Sequence, residues 1–523
     1  MAQNPGNDST QFTIGLICDE TVNVYVNAIW HGVRATLQKR RANLVFFPGG
    51  ILEPPDQARA MMNKVYDLID PELLDGLIIW GAQLSHYVGV EGVKAFCARF
   101  YPLPIVNIGL VLEGISSVLV DNYQGMHDVV SHLITAHQRE RIAFLRGPDA
   151  NPESQQRYQG YVDALAEYGL SLEPQLVVSG HEIDEVRQKA QEYNEVDYRA
   201  AGLYVLDQRG IRPKIDFDAL VGNDDTLAIG TMDVLQMRGV HVPREVAIAG
   251  FDDIQEAHYF DPPLTTAQQS FRDLGSQATE LLLEKLEGKS TPQQIVLPMD
   301  VIVRQSCGCL DPQVIEAASA QLPAVSSDSA CALVEHQGDI INAMARGAGY
   351  TDKSAYPLWI KKFLDAFCAA LNMPDSPEAA ASHSSSDDFL FELNDILREV
   401  AGTEHATRIF HSAISTMRNW AITHLDEATA TRAEDFWHQA RVAVGSSQQR
   451  IHEYGALLQQ RWEHTLQSVG YGLISQFDLE GVAGTLRWAA ATLGIPGATL
   501  SLYEDPTNLR GWARFLTAYD QEG

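Results

Sequence analysis

Between residues 12 and 309 short apolar runs alternate with amphipathic stretches, and this rhythm confines the chain to a narrow set of folds. The runs FTIGLIC, NLVFFPG, DGLIIWG, PIVNIG, SVLVD, RIAFLRG, PQLVVSG, GLYVLD, DALVGN and VAIAGFD read as strands. Between them NAIWHGVRATLQKR, YQGMHDVVSHLITAH, QQRYQGYVDALAEYG, TLAIGTMDVLQMRG and LGSQATELLLEKLEG carry helical periodicity. Regular strand–helix alternation produces mostly parallel sheets with helices on both faces. Several helical runs stop at a glycine (Gly169, Gly239, Gly288), the residue that most easily takes the left-handed conformation of a helix end. The strands outnumber what one modest sheet holds, so the expected fold class is α/β with two doubly wound lobes.

Near residue 310 the pattern changes. Residues 310–330 are rich in Ala, Ser, Pro and Asp and read as a linker. Residues 331–433 show only helical periodicity and are expected to form an α-helical bundle, interrupted by the loop-like SPEAAASHSSSDD. From 434 to 475 a connector helix places Ile451, Tyr454, Leu458, Trp462, Leu466 and Val469 on one stripe. That stripe either packs back on the bundle or pairs with a second copy. Residues 476–523 read as a helix followed by a strand, and residues 1–12 as a disordered tail.

Composition narrows the function. Lys plus Arg number 38 against 68 Asp plus Glu, a formal charge of −30, which repels phosphate backbones and anionic membranes. The N-terminal stretch MAQNPGNDSTQF lacks the basic and apolar regions of a secretory signal, and no apolar run reaches the roughly 20 residues of a spanning helix. The six cysteines are scattered, which suits reduced thiols in the cytoplasm. Although Cys307 and Cys309 form a CGC pair, no second ligand pair stands near it in sequence, so neither a metal nor a cofactor is expected. The chain carries no P-loop, no GxSxG elbow and no HExxH, and its adjacent carboxylates Asp224/Asp225 and Asp252/Asp253 project in different directions from strand ends. An enzyme is not expected.

The stretch VGNDDTLAIG ends an apolar strand on Asn223, Asp224 and Asp225. Capping the next helix accounts for one or two of these residues. A ligand at the carboxyl end of a parallel strand accounts for a third.

Several stretches together carry a family resemblance: VDNYQGMHDVVSHLITAHQRERIAFLRGP, RYQGYVDALAEYGL, FDALVGNDDTLAIGTMDVLQMRGVHVPREVAIAGFDD, DPPLTTAQQSFRDLGSQATELLLEKLEG and VIVRQSCGC. Residues 13–309 resemble the ligand-sensing domain of LacI/GalR-type transcriptional regulators, which shares the periplasmic-binding-protein-like type I fold. The resemblance implies two Rossmann-like lobes joined by three crossovers, with a sugar, polyol or nucleobase in the cleft. It implies ligand contacts for Asn223, Asp252 and Arg157, and places Gln269 close to hinge and cleft. Helix or turn capping remains open for Asp252, and a surface salt bridge for Arg157. On the other wall, spacing to Gly32 puts Asn23 and Tyr25 where binding relatives carry polar and aromatic groups, with plain core open for Tyr25. Trp80 either floors the cleft or packs, packing being preferred. Asp225 is expected to cap its helix, Asp224 is undecided, and Asp121 and Asn122 default to capping.

Family regulators begin with a helix-turn-helix headpiece, whereas about twelve residues precede the first strand here. No direct nucleic-acid binding is therefore expected. Residues 476–523 resemble the start of a GAF domain. The expected function is a cytoplasmic small-molecule sensor module that passes lobe closure through helices to an output. The alternative is a LacI/GalR-like transcriptional regulator acting through a separate DNA-binding partner. A homodimer is expected under either.

Overall fold

The computed structural model describes residues 11–18, 24–54, 57–149, 151–183, 197–317, 333, 335–350, 356–372, 385–400, 406–474, 479–493, 495, 497–503 and 513–520. The chain divides into two compact units. One comprises residues 1–257, 265–302 and 463–523, and the other residues 258–264 and 303–462.

The first unit contains two six-stranded sheets. Its strands are β1 (Thr13–Cys18), β2 (Asn43–Pro48), β3 (Gly76–Ile79), β4 (Ile105–Ile108), β5 (Ser116–Val120), β6 (Ile142–Leu145), β7 (Val177–Val178), β8 (Ala219–Gly222), β9 (Ala247–Asp252), β10 (Thr265–Gln268), β11 (Gln294–Leu297) and β12 (Asp300–Ile302). The N-terminal sheet runs β11-β5-β4-β3-β1-β2, all parallel. The C-terminal sheet runs β12-β10-β9-β8-β6-β7, parallel except for the β10–β12 edge. Three crossings join the lobes, after β5, after β10 and between β11 and β12.

The helices are α1 (Val24–Arg40), α2 (Gly89–Ala98), α3 (Asn122–His137), α4 (Pro152–Glu167), α5 (Asp197–Leu203), α6 (Asp225–Met237), α7 (Gln255–Tyr259) and α8 (Phe271–Leu286). Central strands covered on both faces need continuous apolar sequence, and β3, β6 and β8 are buried at every position. The edge strand β2 is largely exposed instead. Helices α1 and α8 cross at contact distance because both carry glycine there. A Cβ on Gly32 would stand 2.0 Å from the Arg272 carbonyl oxygen, and one on Gly275 2.3 Å from that of Ile29.

The stretch GLYVLD is not a strand. Residues 197–203 form α5, continued by a wider π-type turn over Tyr204–Gln208. Short apolar runs do not by themselves separate a buried strand from a buried helix. Here Gly202 lets the helix press onto α6, where a Cβ would lie 2.8 Å from Thr231 Cα. The PQLVVSG run contributes only the two-residue β7, preceded by a 3-10 turn.

The second unit is helical. It contains α9 (Gln337–Gly347), α10 (Leu358–Asn372), α11 (Ser385–Val400), α12 (Ala406–Ala421) and the first three-quarters of α13 (Glu427–Ile474). Trp359, Phe363, Phe367, Phe389, Phe410, Phe436 and Trp437 fill one core, with Phe367 stacked on Trp437 at 5.5 Å. The long helix begins at 427 rather than 434, because Asp426 accepts from Thr429 N and Thr429 Oγ1 and so caps it there. Part of the expected linker is also built in: residues 312–316 are helical, Asp311 caps them, and Val314 joins the core. Residues 318–332, and 373–384 of the expected loop, lie outside the described residues.

In the last segment α14 (Leu479–Thr492) precedes an antiparallel pair, β13 (Gly497–Tyr503) and β14 (Ala513–Asp520). Among the described residues no helix is long and apolar enough to cross a membrane.

Candidate functional site

The carboxyl ends of β8 and β9 bring Asn223 and Asp252 together, and α4 delivers Arg157 between them. Helix α4 starts cleanly because Asn151 caps it and Pro152 occupies its first turn. One turn later Arg157 projects into the interior, where its residue is 6% exposed. Its Nε donates to Asn122 Oδ1 at 2.8 Å and its Nη1 to the Asn223 carbonyl at 2.7 Å. Its Nη2 forms an ion pair with Asp252 Oδ1 at 3.3 Å. The guanidinium plane also lies 3.9 Å from the centre of the Phe251 ring. A fixed planar fork held at three points is locked in place before any ligand arrives.

Two acceptor atoms in this cluster are unsatisfied. Asn223 Oδ1 and Asp252 Oδ1 are buried and accept no hydrogen bond. Asp252 Oδ1 keeps its charge contact with Arg157 Nη2. Buried polar atoms normally find partners, and here two acceptors without one lie in the same cluster. Gly147 makes room for it: a Cβ there would stand 2.4 Å from Asn223 Nδ2 and from Ser154 Oγ.

Asp252 is held in a strained backbone. Its φ is 110°, and that of Asp253 is 58°. Such conformations cost non-glycine residues on the order of 1–3 kcal/mol and persist where the surroundings impose them, often at ligand clamps. Burial pushes the Asp252 carboxyl up to about 7; Arg157 opposes this, while Asp224 and Glu153 add to it.

The expected cap, Asp225, does not cap the helix; Asp224, left undecided from sequence, does. Asp224 is the helix cap, accepting from Leu227 N at 2.9 Å. Asp225 is fully buried, with Oδ1 accepting from Thr266 Oγ1 at 2.6 Å and Oδ2 from Ile254 N at 2.9 Å. It ties the β8 tip to the β9 loop and to β10. Burial, then the nearby Asp252, hold its pKa well above the usual carboxylate range.

Three further residues belong to the cluster without having been singled out for it. Asn122 is no cap; Asp121 is, accepting from Gln124 N. Asn122 instead orients Arg157 and donates to Glu153 Oε1 at 3.3 Å. Glu153 stands one turn before Arg157 on the same face of α4, a spacing that could have flagged it. Burial raises its pKa, with Arg157 and the Asn122 amide opposing. A Cβ on Gly109, at the end of β4 in the other lobe, would stand 3.6 Å from Glu153 Oε1. The third is Phe271, whose ring lies 4.7 Å from Tyr25 and 6.0 Å from Trp80.

Those aromatic residues form the N-terminal-lobe side. Burial, followed by the charges of Asp252, Asp224 and Asp225, holds the Tyr25 phenol well above its usual range, with Arg157 opposing. Tyr25 therefore faces the carboxylates of the opposite lobe. Trp80 is buried and packs edge-on against Phe271. Gln269 is buried just after β10, its N–H pointing to the Asp252 carbonyl at 3.4 Å. Asn23 lies outside the described residues. The structure thus gathers Asn223, Asp252 and Arg157 into one contact cluster, with Gln269 just after the adjoining strand and Tyr25 opposite.

Part of the chain resembles known proteins. Residues 130–307 match the family model of the periplasmic binding protein-like domain. The HTH-type transcriptional regulator AscG of Escherichia coli is 29% identical over 292 residues, covering 55% of this chain and 78% of the relative. The ribose operon repressor of Haemophilus influenzae is 26% identical over 297 residues, covering 56% and 80% respectively. The solved structure of the E. coli repressor ascG is 25% identical, covers 57% of this chain and 99% of its own, and superposes with a TM-score of 0.44. Residues 130–307 are accordingly similar to the periplasmic binding protein-like domain, and the relatives that align with this part of the chain are named as transcriptional regulators and repressors.

Proposed function

We propose that the two-lobe domain senses a small polyhydroxylated or nucleobase-like molecule and that the chain regulates transcription in response. The carrying observation is the orphan acceptor pair, Asn223 Oδ1 and Asp252 Oδ1, buried beside a locked arginine. Asn223 Oδ1 accepts, and Asp252 Oδ1 accepts when its carboxyl is ionised, so donors such as neighbouring hydroxyls or ring N–H groups suit the pair. Tyr25 and Phe271 supply apolar surface for the ring face. Trp80, packed behind Phe271, supports that wall, and Gln269 borders the pocket beside Asp252.

Ligand binding shifts the population between lobe arrangements only as far as it favours one of them. The movement has a physical outlet. Residues 258–264 follow the β9 tip and precede β10, yet they are built into the helical unit. Asp261 pairs with Arg398 of α11 at 3.2 Å and with Arg450 of α13 at 4.0 Å, and Phe260 meets Tyr454 edge-on at 6.0 Å. Asp252 and Gln269 thus flank a segment anchored among helices. Displacing the strand ends pulls on α11 and α13.

The relatives are repressors and regulators by name, which favours transcriptional output. A charge of −30 favours a separate DNA-binding partner over direct contact with the duplex. This reading places the protein in the cytoplasm. A second reading keeps the same sensor but feeds a different signalling output, and the helical unit together with the resemblance of residues 476–523 to the start of a GAF domain favours it.

The test is a thermal-shift screen of sugars, polyols and nucleobases, D-ribose included. A ligand should raise the melting temperature by mass action. Asn223→Ala and Asp252→Ala should abolish the shift while leaving the far-ultraviolet spectrum intact. A ligand whose shift survives both substitutions would refute the site. Gel-shift assays at physiological salt should show no duplex binding by the isolated chain.

A further inference from the structure

The space between Tyr25 and the tips of β8 and β9 is rich in acceptors. Asp252 feels the charges of Asp224 and Glu153, and Asp225 feels that of Asp252. Arg157 opposes them but has little left to offer a ligand. Each of its three nitrogens already has a partner, in Asn122 Oδ1, the Asn223 carbonyl and Asp252. Its flat face lies on the Phe251 ring. An anionic ligand would meet these carboxylates without a free guanidinium to offset them, and like charges placed together cost affinity.

Two further observations point to a cation. The first is the pair of orphan acceptors. Asn223 is 5% exposed and its Oδ1 accepts no hydrogen bond, and neither does the buried Asp252 Oδ1 in the same cluster. A hydroxyl brings one donor to such a pair, whereas a primary ammonium brings three, each of them charge-assisted. The second is the aromatic wall opposite. The rings of Tyr25 and Phe271 lie 4.7 Å apart, and the faces of such rings attract a cation. After burial, the charges of Asp252, Asp224 and Asp225 raise the Tyr25 phenol, so the negative field of the strand tips reaches this wall. An ammonium between the two surfaces would be attracted by both, and it would favour the ionised form of Asp252 that accepts from it.

We propose that the ligand of the two-lobe domain carries a protonated primary amine, as an amino sugar or amino polyol does, held between Asn223, Asp252 and the Tyr25–Phe271 wall. The proposal rests on the sensing function above and narrows its ligand class.

Isothermal titration calorimetry of the full chain at neutral pH tests it with matched pairs: D-glucosamine against D-glucose, D-galactosamine against D-galactose, and D-glucamine against D-sorbitol. In each pair an amine replaces one hydroxyl. In at least one pair the amine is expected to bind about tenfold more tightly than its parent, the margin of a charge-assisted over a neutral hydrogen bond. Asp252→Asn combined with Glu153→Gln removes charge while keeping shape, and should remove that advantage with the far-ultraviolet spectrum unchanged. The wild-type comparison decides the question even if the double variant fails to fold. A parent that binds as tightly as its amine, or an advantage undiminished in the folded double variant, would overturn the proposal and leave the sensing function standing. Binding by no member of any pair would also overturn it, while a hit elsewhere among sugars, polyols and nucleobases would still uphold the sensing function.

Discussion

Asp252→Asn should change how stability depends on pH, with a sign fixed by the site. The Asp252 carboxyl has an ordinary value of 3.8 and is raised to about 7 in the fold. Below pH 3.8 both folded and unfolded chains hold the proton, and the group contributes no pH dependence. Between these values the folded state keeps a proton that the unfolded state has released, so stability falls as pH rises. At 1.36 kcal/mol per pKa unit, the full penalty above neutrality is about 4 kcal/mol. Asparagine cannot ionise, so the variant escapes it. It should gain about 4 kcal/mol relative to wild type between pH 4 and pH 8, whatever constant offset the lost Arg157 ion pair introduces. The assay is urea titration of both proteins at several pH values, followed by hydrogen exchange in peptides covering β8 and β9. These peptides report the α/β unit without interference from the helical one. Parallel pH profiles for the two proteins would refute the reasoning, since they would mean that Asp252 is already ionised in the fold.

Other outcomes follow from particular contacts. Thr266→Val removes the 2.6 Å hydrogen bond to the fully buried Asp225. It should cost about 1–3 kcal/mol, the desolvation penalty of a stranded acceptor, measurable by the same urea titration. Gly32→Ala would place a Cβ 2.0 Å from the Arg272 carbonyl oxygen, so α1 and α8 must separate. A melting temperature lowered by several degrees is expected, and an unchanged one would show that the helix crossing is not tight. Asp261→Asn should leave the ligand affinity of the two-lobe domain unchanged. It should abolish ligand-dependent changes in hydrogen exchange in α11 and α13, and their survival would exclude the 258–264 segment as the route.

Much of the architecture was legible because it rests on local periodicity. Runs such as GLII and IAFL are apolar at every position, as a strand covered on both faces requires, and their regular alternation with helical stretches marks them as strands; the polar tips at Asn223 and Asp252 interrupt that pattern visibly. The failures occurred where an apolar or polar residue has two local solutions. GLYVLD is short enough to be strand or helix, and Gly202 against α6 decided it. Capping at VGNDD is equally available to either aspartate from sequence. The partner of Asp225, Thr266, lies far along the chain, and only the pairing of β9 with β10 brings it near.

What the amino-acid sequence by itself determined is the placement of strand ends and the residue types at them, because hydrophobic period and helix stop signals act over a few residues. Only the tertiary structure decided that Arg157 is clamped by Asn122, that Phe271 joins the site, and that residues 258–264 belong with the helices. Those facts depend on contacts between segments tens to hundreds of residues apart, and no local pattern encodes the burial that strands two acceptor oxygens beside a guanidinium.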